Sequence, residues 1–235
     1  MRVAPYVTCC ALLLGACEVG EPDDEEDALE VPASQTVTAY AVTTDPQVVF
    51  VNFAGPVVKN CAACSNAASN ESYVVGYLGS QASIDFAPFT NAAEKTTIVA
   101  DLRELFAPYN IVFTTTRPAQ PPYQMLIVSP TYLPHHGIAP LDCGNRNRDD
   151  IAFVYRTGDT GFYPNGHKIA QAAAHELGHS FGLAHVTGTS QVMQWASSGR
   201  TFSASDYDTT HPSGKCFTGT VQHAAAMLTT SLGLK

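Results

Sequence analysis

The sequence predicts one mixed α/β domain of the α+β class, and three observations lead to this fold class. Short runs rich in β-branched and aromatic residues are typical of strands. Longer segments place apolar residues at helical spacing. The two kinds of segment alternate from residue 46 onward, which favours a sheet with helices packed on it. We therefore expect a twisted sheet of about five strands and three helices.

The first half of this domain is predicted to hold a strand, a loop region and a helix. The run QVVFVNF reads as a strand. Residues 57–91, with many Asn, Ser and Ala residues, read as loop. The segment NAAEKTTIVADLRELFAPY predicts the upstream helix, because Ile98, Leu102 and Leu105 recur at helical spacing and Pro108 ends the pattern.

The second half is predicted to hold three more strands and two helices. The runs NIVFTTTRP, YQMLIVSP and DDIAFVYR read as strands. The segment HKIAQAAAHELGHSFGLAH is a good helix-forming sequence up to Gly182. A C-terminal helix is expected in TVQHAAAMLTTSLGL.

Composition divides the 235 residues into three parts. Eight acidic residues fall between Glu18 and Glu30, whereas the chain from Val31 onward has 13 acidic and 11 basic residues. The net charge of −9 therefore belongs mainly to one segment, which is expected to be disordered. No cluster of Lys and Arg marks a nucleic-acid surface, and we expect a monomer. The parts are a signal peptide (1–16), an acidic tether (17–45) and a folded domain (46–235).

The N-terminal run MRVAPYVTCCALLLGAC reads as an export signal. One arginine precedes an apolar stretch that is too short to span a bilayer as a helix. Its last four residues, Leu14 to Cys17, resemble the lipobox of bacterial lipoproteins, in which the cysteine is lipidated. We therefore expect a lipid anchor at Cys17 and a place at the bacterial cell envelope. The alternative is an ordinary secretory signal and a secreted protein.

Four further cysteines lie in the folded domain. An even number in an exported chain favours disulfides. The spacing CAAC also fits half a zinc knuckle or a redox pair, but no second CxxC follows. We predict the disulfide pairs Cys61–Cys64 and Cys143–Cys216.

The strongest functional signal is the stretch AAAHELGHSFGLAH. On a helix, His175 and His179 lie on one face and can bind one zinc ion. Glu176 lies about 100° further round the helix, where it can face a water at the metal without being a ligand. Gly182 can end the helix with a positive φ, so that the chain turns and brings His185 to the same ion. Three imidazoles leave the fourth tetrahedral position for water, as in catalytic zinc sites. The alternative interpretation of this stretch is a polar helix face that is rich in histidines and binds no metal.

These residues carry a family resemblance. HELGHSFGLAH matches the HExxHxxGxxH signature of the metzincin zinc peptidases at every position. The chain resembles the matrixins in particular, because Met193 lies eight residues after His185, as in their methionine turn. The resemblance covers about residues 46–235 and is strong only at about 170–195. It implies a metzincin-like fold and a zinc endopeptidase acting on protein or peptide substrates. The implied roles are metal ligands for His175, His179 and His185, general base for Glu176 and a methionine turn at Met193.

The chain departs from the matrixin pattern after the methionine. Matrixins usually have an aromatic residue and a proline there, whereas Gln194 and Trp195 follow here. Astacin-like and serralysin-like enzymes have a zinc-binding tyrosine at the position of Trp195, and an indole N–H cannot ligate a metal. We expect no fifth protein ligand and a specificity pocket near Trp195 and the loop to Phe202. The substrate is expected to pair with Ile151–Tyr155 or a neighbouring strand.

Other candidate ligands carry weaker signals. The resemblance to matrixins allows a structural Ca²⁺ ion at Asp142, Asp149 and Asp150, and carboxylates suit this ion, although their spacing fits no motif. The remaining histidines lack partners at ligand spacing and are expected at the surface: His135, His136, His167, His211 and His223.

Two rival functions are compatible with the same residues. One is a zinc hydrolase acting on cell-wall cross-links, and the other is a non-enzymatic surface lipoprotein with a vestigial zinc site. Glu176 argues against the second, because binding zinc does not need it.

Overall fold

The computed structural model describes the backbone of Asp27–Glu30 and residues 45–79, 82–131, 133, 136–155, 165–196 and 199–235. These residues form twelve strands and four helices, which confirms the mixed α/β class. The strands are β1 (Asp27–Glu30), β2 (Gln47–Asn52), β3 (Val57–Lys59), β4 (Ser65–Asn66), β5 (Glu71–Ser72), β6 (Ser83–Asp85), β7 (Ile111–Thr114), β8 (Gln124–Ser129), β9 (Gly137–Leu141), β10 (Ile151–Tyr155), β11 (Ala204–Asp206) and β12 (Val221–His223). The helices are α1 (Val74–Tyr77), α2 (Ala92–Leu105), α3 (Gly166–Ser180) and α4 (Ala224–Leu232).

A six-stranded sheet lies at the centre of the described residues, with the strand order β1-β9-β10-β8-β2-β7. The four strands β10, β8, β2 and β7 run parallel to one another. They correspond to the four strands predicted from β-branched and aromatic runs. Strand β9 is antiparallel to β10, and β1 is parallel to β9.

Strands β9 and β1 differ from the sequence prediction. Strand β9 was not among the predicted strands, because its five residues include a glycine and a proline. Its pairing with β10 involves only Gly137 and Ile138, so the missing N–H of Pro140 does not interrupt that pairing. Strand β1 lies within the segment 17–45, so the predicted disorder does not hold for these four residues. Pairing along an edge uses backbone N–H and C=O groups and does not require an apolar sequence.

Alternate residues of the central strands face two separate hydrophobic cores. Val49 and Val51 belong to the core under α2, α3 and α4, whereas Phe50 belongs to the core on the opposite face. A second sheet with the order β4-β5-β3-β6 contributes to this opposite core. Residues 57–91 are therefore not only loop, as predicted. Their strands have two or three residues each, which is too short for a periodic sequence signal.

The three longer helices form where the sequence predicts them. Asn91 caps α2 by accepting a hydrogen bond from the backbone N–H of Glu94 at 3.2 Å. Asn165 caps α3 in the same way through the N–H of Lys168 at 3.1 Å. Helix α3 ends at Ser180, and Gly182 follows with a φ of 92°, a conformation that favours glycine. The chain therefore turns immediately after the HExxH residues.

Both predicted disulfides are present, Cys61–Cys64 and Cys143–Cys216. The second joins the turn after β9 to the segment before β12, 73 residues later. Among the described residues, no helix combines the length and apolarity that crossing a bilayer requires. The signal peptide, Cys17 and most of the acidic segment lie outside the described residues.

Candidate metal centre

Helix α3 and the turn after it bring three histidines together. His175 and His179 project from the same face of α3, and the turn at Gly182 returns the chain so that His185 meets them. A side chain at position 182 would lie about 3.1 Å from the backbone of Asp142 and Gly144. The positive φ and this close approach both explain the glycine. All three histidines are at most 2% exposed.

The three Nε2 atoms form a nearly equilateral triangle. The distances are 3.0 Å between His175 and His179, 3.2 Å between His179 and His185, and 3.1 Å between His185 and His175. Nitrogens bound tetrahedrally to one zinc ion at about 2.0–2.1 Å lie about 3.3 Å from one another. The triangle therefore has the size that a zinc ion requires. It is the one group of three or more His, Cys, Asp or Glu side chains among the described residues that could hold a single metal ion.

The Nδ1 atom of each histidine lies 2.8 Å from a backbone carbonyl oxygen. The carbonyls belong to Val192 for His175, Leu183 for His179 and His211 for His185. Because a carbonyl only accepts, each ring donates from Nδ1, and in a neutral ring Nε2 then carries a lone pair. Three lone pairs facing each other in this way repel unless a cation lies among them. This donor set fits a metal ion.

Burial also favours the neutral form, which metal binding requires, for His175 and His179. Burial lowers the pKa of His175 to about 4, although its hydrogen bond to Val192 opposes this shift. Burial, together with the charges of His175 and His185, lowers the pKa of His179 well below its ordinary value. At neutral pH both rings are therefore neutral and can bind a metal ion without first losing a proton.

Glu176 lies against the start of strand β9. Its side chain is 1% exposed. A Cβ atom added at Gly137 would lie 2.4 Å from its Oε1 and 2.8 Å from its Cδ and Cγ. The glycine therefore gives Glu176 the room that it occupies. Sequence reasoning did not single out Gly137, because its role depends on a contact between distant segments.

Met193 packs directly under the second half of α3. It is 1% exposed, and a Cβ atom added at Gly178 would lie 2.3 Å from its sulfur atom. The preceding residue, Val192, supplies the carbonyl that accepts from His175. The backbone N–H of Val186 donates to the carbonyl of Met193 at 2.9 Å. The turn at Met193 therefore supports the histidine cluster from below without supplying a ligand.

The proposed calcium ligands do not form a shared site. Asp142 accepts from the N–H of Asn147 at 2.7 Å, and Asp149 accepts from the N–H of Tyr123 at 2.9 Å. Asp150 accepts from the side-chain amide of Asn147 at 2.6 Å. These carboxylates therefore serve the loop between β9 and β10 in separate contacts. They do not converge within the distance that the three histidines do.

The remaining histidines divide between surface and interior. His167 and His223 are exposed, as predicted, whereas His136 is 6% exposed and is not a surface residue. His211 is partly buried, because its ring stacks on Trp195 with a centroid distance of 4.1 Å. His135 lies outside the described residues. His211 was predicted to be an ordinary surface residue, but its carbonyl accepts a hydrogen bond from the ring of His185.

The predicted specificity loop is only partly described. The Phe202 ring lies 5.1 Å from the ring of Phe106, so the end of this loop packs on the hydrophobic core. Residues 197 and 198 are outside the described residues, and the pocket remains a prediction.

No protein-family model and no curated protein matches the sequence of this chain. The case for the metal centre therefore rests on its geometry and on the spacing of its residues.

Proposed function

We propose that this protein is a zinc-dependent endopeptidase with a matrixin-like metzincin site and fold. The observation that carries the proposal is the triangle of three histidine Nε2 atoms with a buried glutamate next to it in the sequence. A structural zinc site would need a fourth protein ligand, and the described residues close to the triangle supply none. The three histidines would therefore be the protein ligands of a catalytic zinc ion and not of a structural one.

His175, His179 and His185 would hold the ion. Bound there, a zinc ion supplies Lewis-acid chemistry, which polarises a peptide carbonyl and makes water acidic near neutral pH. Glu176 accepts the proton of the attacking water and later passes it to the leaving amine. Gly137 leaves the space that the carboxylate of Glu176 occupies. Met193 supports the ligands from below and makes no contact with substrate.

Strand β9 is the best candidate to align an extended substrate. Strand β10 lies between β9 and β8, so it has a neighbouring strand on both sides. Strand β9 begins at Gly137, beside Glu176, and pairs with β10 over two residues only. A peptide added to β9 would place a peptide bond near the glutamate. In the structure this edge carries β1, which a substrate would have to displace.

The decisive experiment separates metal binding from chemistry. Glu176→Gln preserves the size of the side chain but removes the proton acceptor. It should keep about one zinc ion per chain and lower peptide cleavage by at least about 10²–10⁴-fold. His179→Ala should lose zinc and cleavage together, because two imidazoles hold the ion poorly. Elemental analysis and a fluorogenic peptide assay measure both quantities on one preparation. Cleavage by Glu176→Gln at the wild-type rate would refute this mechanism.

The same preparation tests the rival functions. Wild-type protein should digest casein or gelatin and release nothing from peptidoglycan. Release from peptidoglycan alone would favour the cell-wall hydrolase. Zinc binding without hydrolysis of either substrate would favour the vestigial site.

We further propose that the protein is a lipoprotein of the bacterial cell envelope, anchored at Cys17. The Leu-Gly-Ala-Cys sequence carries this proposal. Cys17→Ser should move the protein from the membrane fraction to the soluble fraction. A wild-type chain that incorporates no labelled palmitate would contradict the anchor.

A further inference from the structure

His185 is held by a different part of the chain from the other two histidines. His175 and His179 keep their places because they lie on α3. His185 instead makes three hydrogen bonds to residues 208–213. Its N–H donates to the Ser213 hydroxyl at 2.8 Å, its ring donates to the His211 carbonyl at 2.8 Å, and its carbonyl accepts from the Asp208 N–H at 3.0 Å. The orientation of this ring therefore depends on the segment 208–213.

The segment is folded around one buried carboxylate. Asp208 is 4% exposed. Its Oδ1 accepts from the N–H of Thr210 at 2.8 Å and from the N–H of His211 at 3.1 Å, and its Oδ2 lies 3.1 Å from Nδ1 of His211. These three contacts of the carboxylate stabilise the turn that presents the His211 carbonyl.

A stacked pair of rings joins this segment to the turn at Met193. Trp195 lies two residues after Met193, and its ring plane is 17° from that of His211 at a centroid distance of 4.1 Å. The turn at Met193 also supplies the Val192 carbonyl to His175. The stack therefore ties together the carbonyls that orient two of the three ligands. Contacts of this kind, behind the ligands, set ring orientation and metal affinity.

We propose that Asp208, His211 and Trp195 form a brace that positions His185 for metal binding. The brace acts through the His211 carbonyl, which holds the proton of His185 on Nδ1 and leaves Nε2 for the ion. Its three members are positioning residues, since they act through His185 and not on the substrate. The proposal rests on the proposed metal site, and it gives Trp195 a role other than that of a ligand.

The test measures metal binding to the full chain with Zn²⁺ and Co²⁺ as probes. Asp208→Ala and Trp195→Ala should each weaken Zn²⁺ binding by about 10–100-fold, measured by competition with a chromophoric chelator. Both should also change the visible absorption spectrum of the Co²⁺ complex, which reports ligand geometry. Trp195→Phe keeps a ring over His211 and should recover most of the affinity. Asp206→Ala, which removes an exposed carboxylate two residues from Asp208, is the matched control and should behave as wild type.

Thermal unfolding of the metal-free variants separates the brace from loss of fold. Wild-type Zn²⁺ affinity and an unchanged Co²⁺ spectrum in Asp208→Ala and Trp195→Ala would overturn the proposal. If Asp208→Ala does not fold, the Zn²⁺ affinities of Trp195→Ala and Trp195→Phe are compared instead. An equal loss of affinity in both variants would overturn the role of the stacked rings. A wild-type chain that binds Zn²⁺ but cleaves no peptide refutes the endopeptidase alone, because affinity and spectrum still decide on the brace. A wild-type chain that binds no Zn²⁺ overturns both.

Discussion

Replacing Gly137 by alanine should move the carboxylate of Glu176 while leaving the metal ligands untouched. The new Cβ atom would lie 2.4 Å from Oε1, whereas an ordinary contact begins at 3.4 Å. The carboxylate must therefore shift by about 1 Å, and Glu176 is too deeply buried to swing into solvent. Because a misplacement of about 1 Å can cost about 10²-fold in rate, we expect kcat to fall by about that factor. Zinc content should remain at the wild-type value.

The same clash should appear in stability. Replacing a strand glycine by alanine, where no clash results, stabilises a protein by about 0.5–1 kcal/mol, because the unfolded chain has less conformational freedom. Forcing an extra methyl group into a packed interior costs about 1–3 kcal/mol. Gly137→Ala should therefore be neutral or destabilising in the wild-type background. In a Glu176→Ala background the space is free, and the same change should be neutral or stabilising.

Denaturant unfolding of the four proteins in this double-mutant cycle measures the coupling directly. A coupling energy near zero would show that Gly137 and Glu176 do not touch. A clear coupling energy without a loss of kcat in Gly137→Ala would support the contact between the two residues. It would refute the role of Glu176 as the general base.

Two further predictions follow from buried charge and from strand pairing. Burial, and secondarily the charge of Asp142, raises the pKa of Asp150 well above its ordinary value. The folded state therefore favours the protonated acid, and its stability falls as pH rises above 3.8 and through the raised pKa. Asp150→Asn should thus raise the free energy of unfolding by about 1–3 kcal/mol at neutral pH and by a smaller amount near pH 4. An equal effect at the two pH values would contradict the raised pKa of Asp150. The double variant Ala28→Pro, Leu29→Pro removes two backbone N–H groups from β1 and should weaken its pairing with β9. Because the edge of β9 then becomes open to substrate, peptide cleavage should be about 2–10-fold faster. Ala28→Gly is the control, and an unchanged rate in the proline variant would show that β1 does not compete with substrate.

Much of the metal centre could be read from the sequence, because helical geometry fixes the relation between nearby residues. Residues four apart on a helix share a face, so His175 and His179 had to converge once α3 formed. A glycine three residues later made the return of His185 plausible, and the positive φ of Gly182 agrees with it. The two disulfides were predicted for a different reason, since the expectation of export favoured disulfides and four cysteines can pair in only three ways.

The strands were predictable where their sequence is a run of β-branched and aromatic residues. The runs that became β2, β8 and β10 lie in the sheet interior, so they needed a continuous apolar or β-branched sequence. Strand β7 lies at the edge, and its β-branched and aromatic run buries Ile111 and Phe113 in the core under the helices. Strand β1 was missed because pairing along an edge is made by backbone groups, which every residue carries. Strand β9 lies between β1 and β10 and is buried, but its five residues include a glycine and a proline, which are depleted in strands. The short strands between residues 57 and 85 were missed because two or three residues are too few for a periodic sequence signal.

The tertiary structure alone decided what surrounds the ligands. The carbonyls of Val192 and His211 orient His175 and His185 from 17 and 26 residues away, and a carbonyl has no signature in a sequence. The small size of Gly137 matters because Glu176 comes to lie against it, which only the packing of α3 on β9 brings about. A sequence can therefore specify ligands that share a helix turn. The supporting contacts of those ligands depend on which distant backbone segments the fold places behind them.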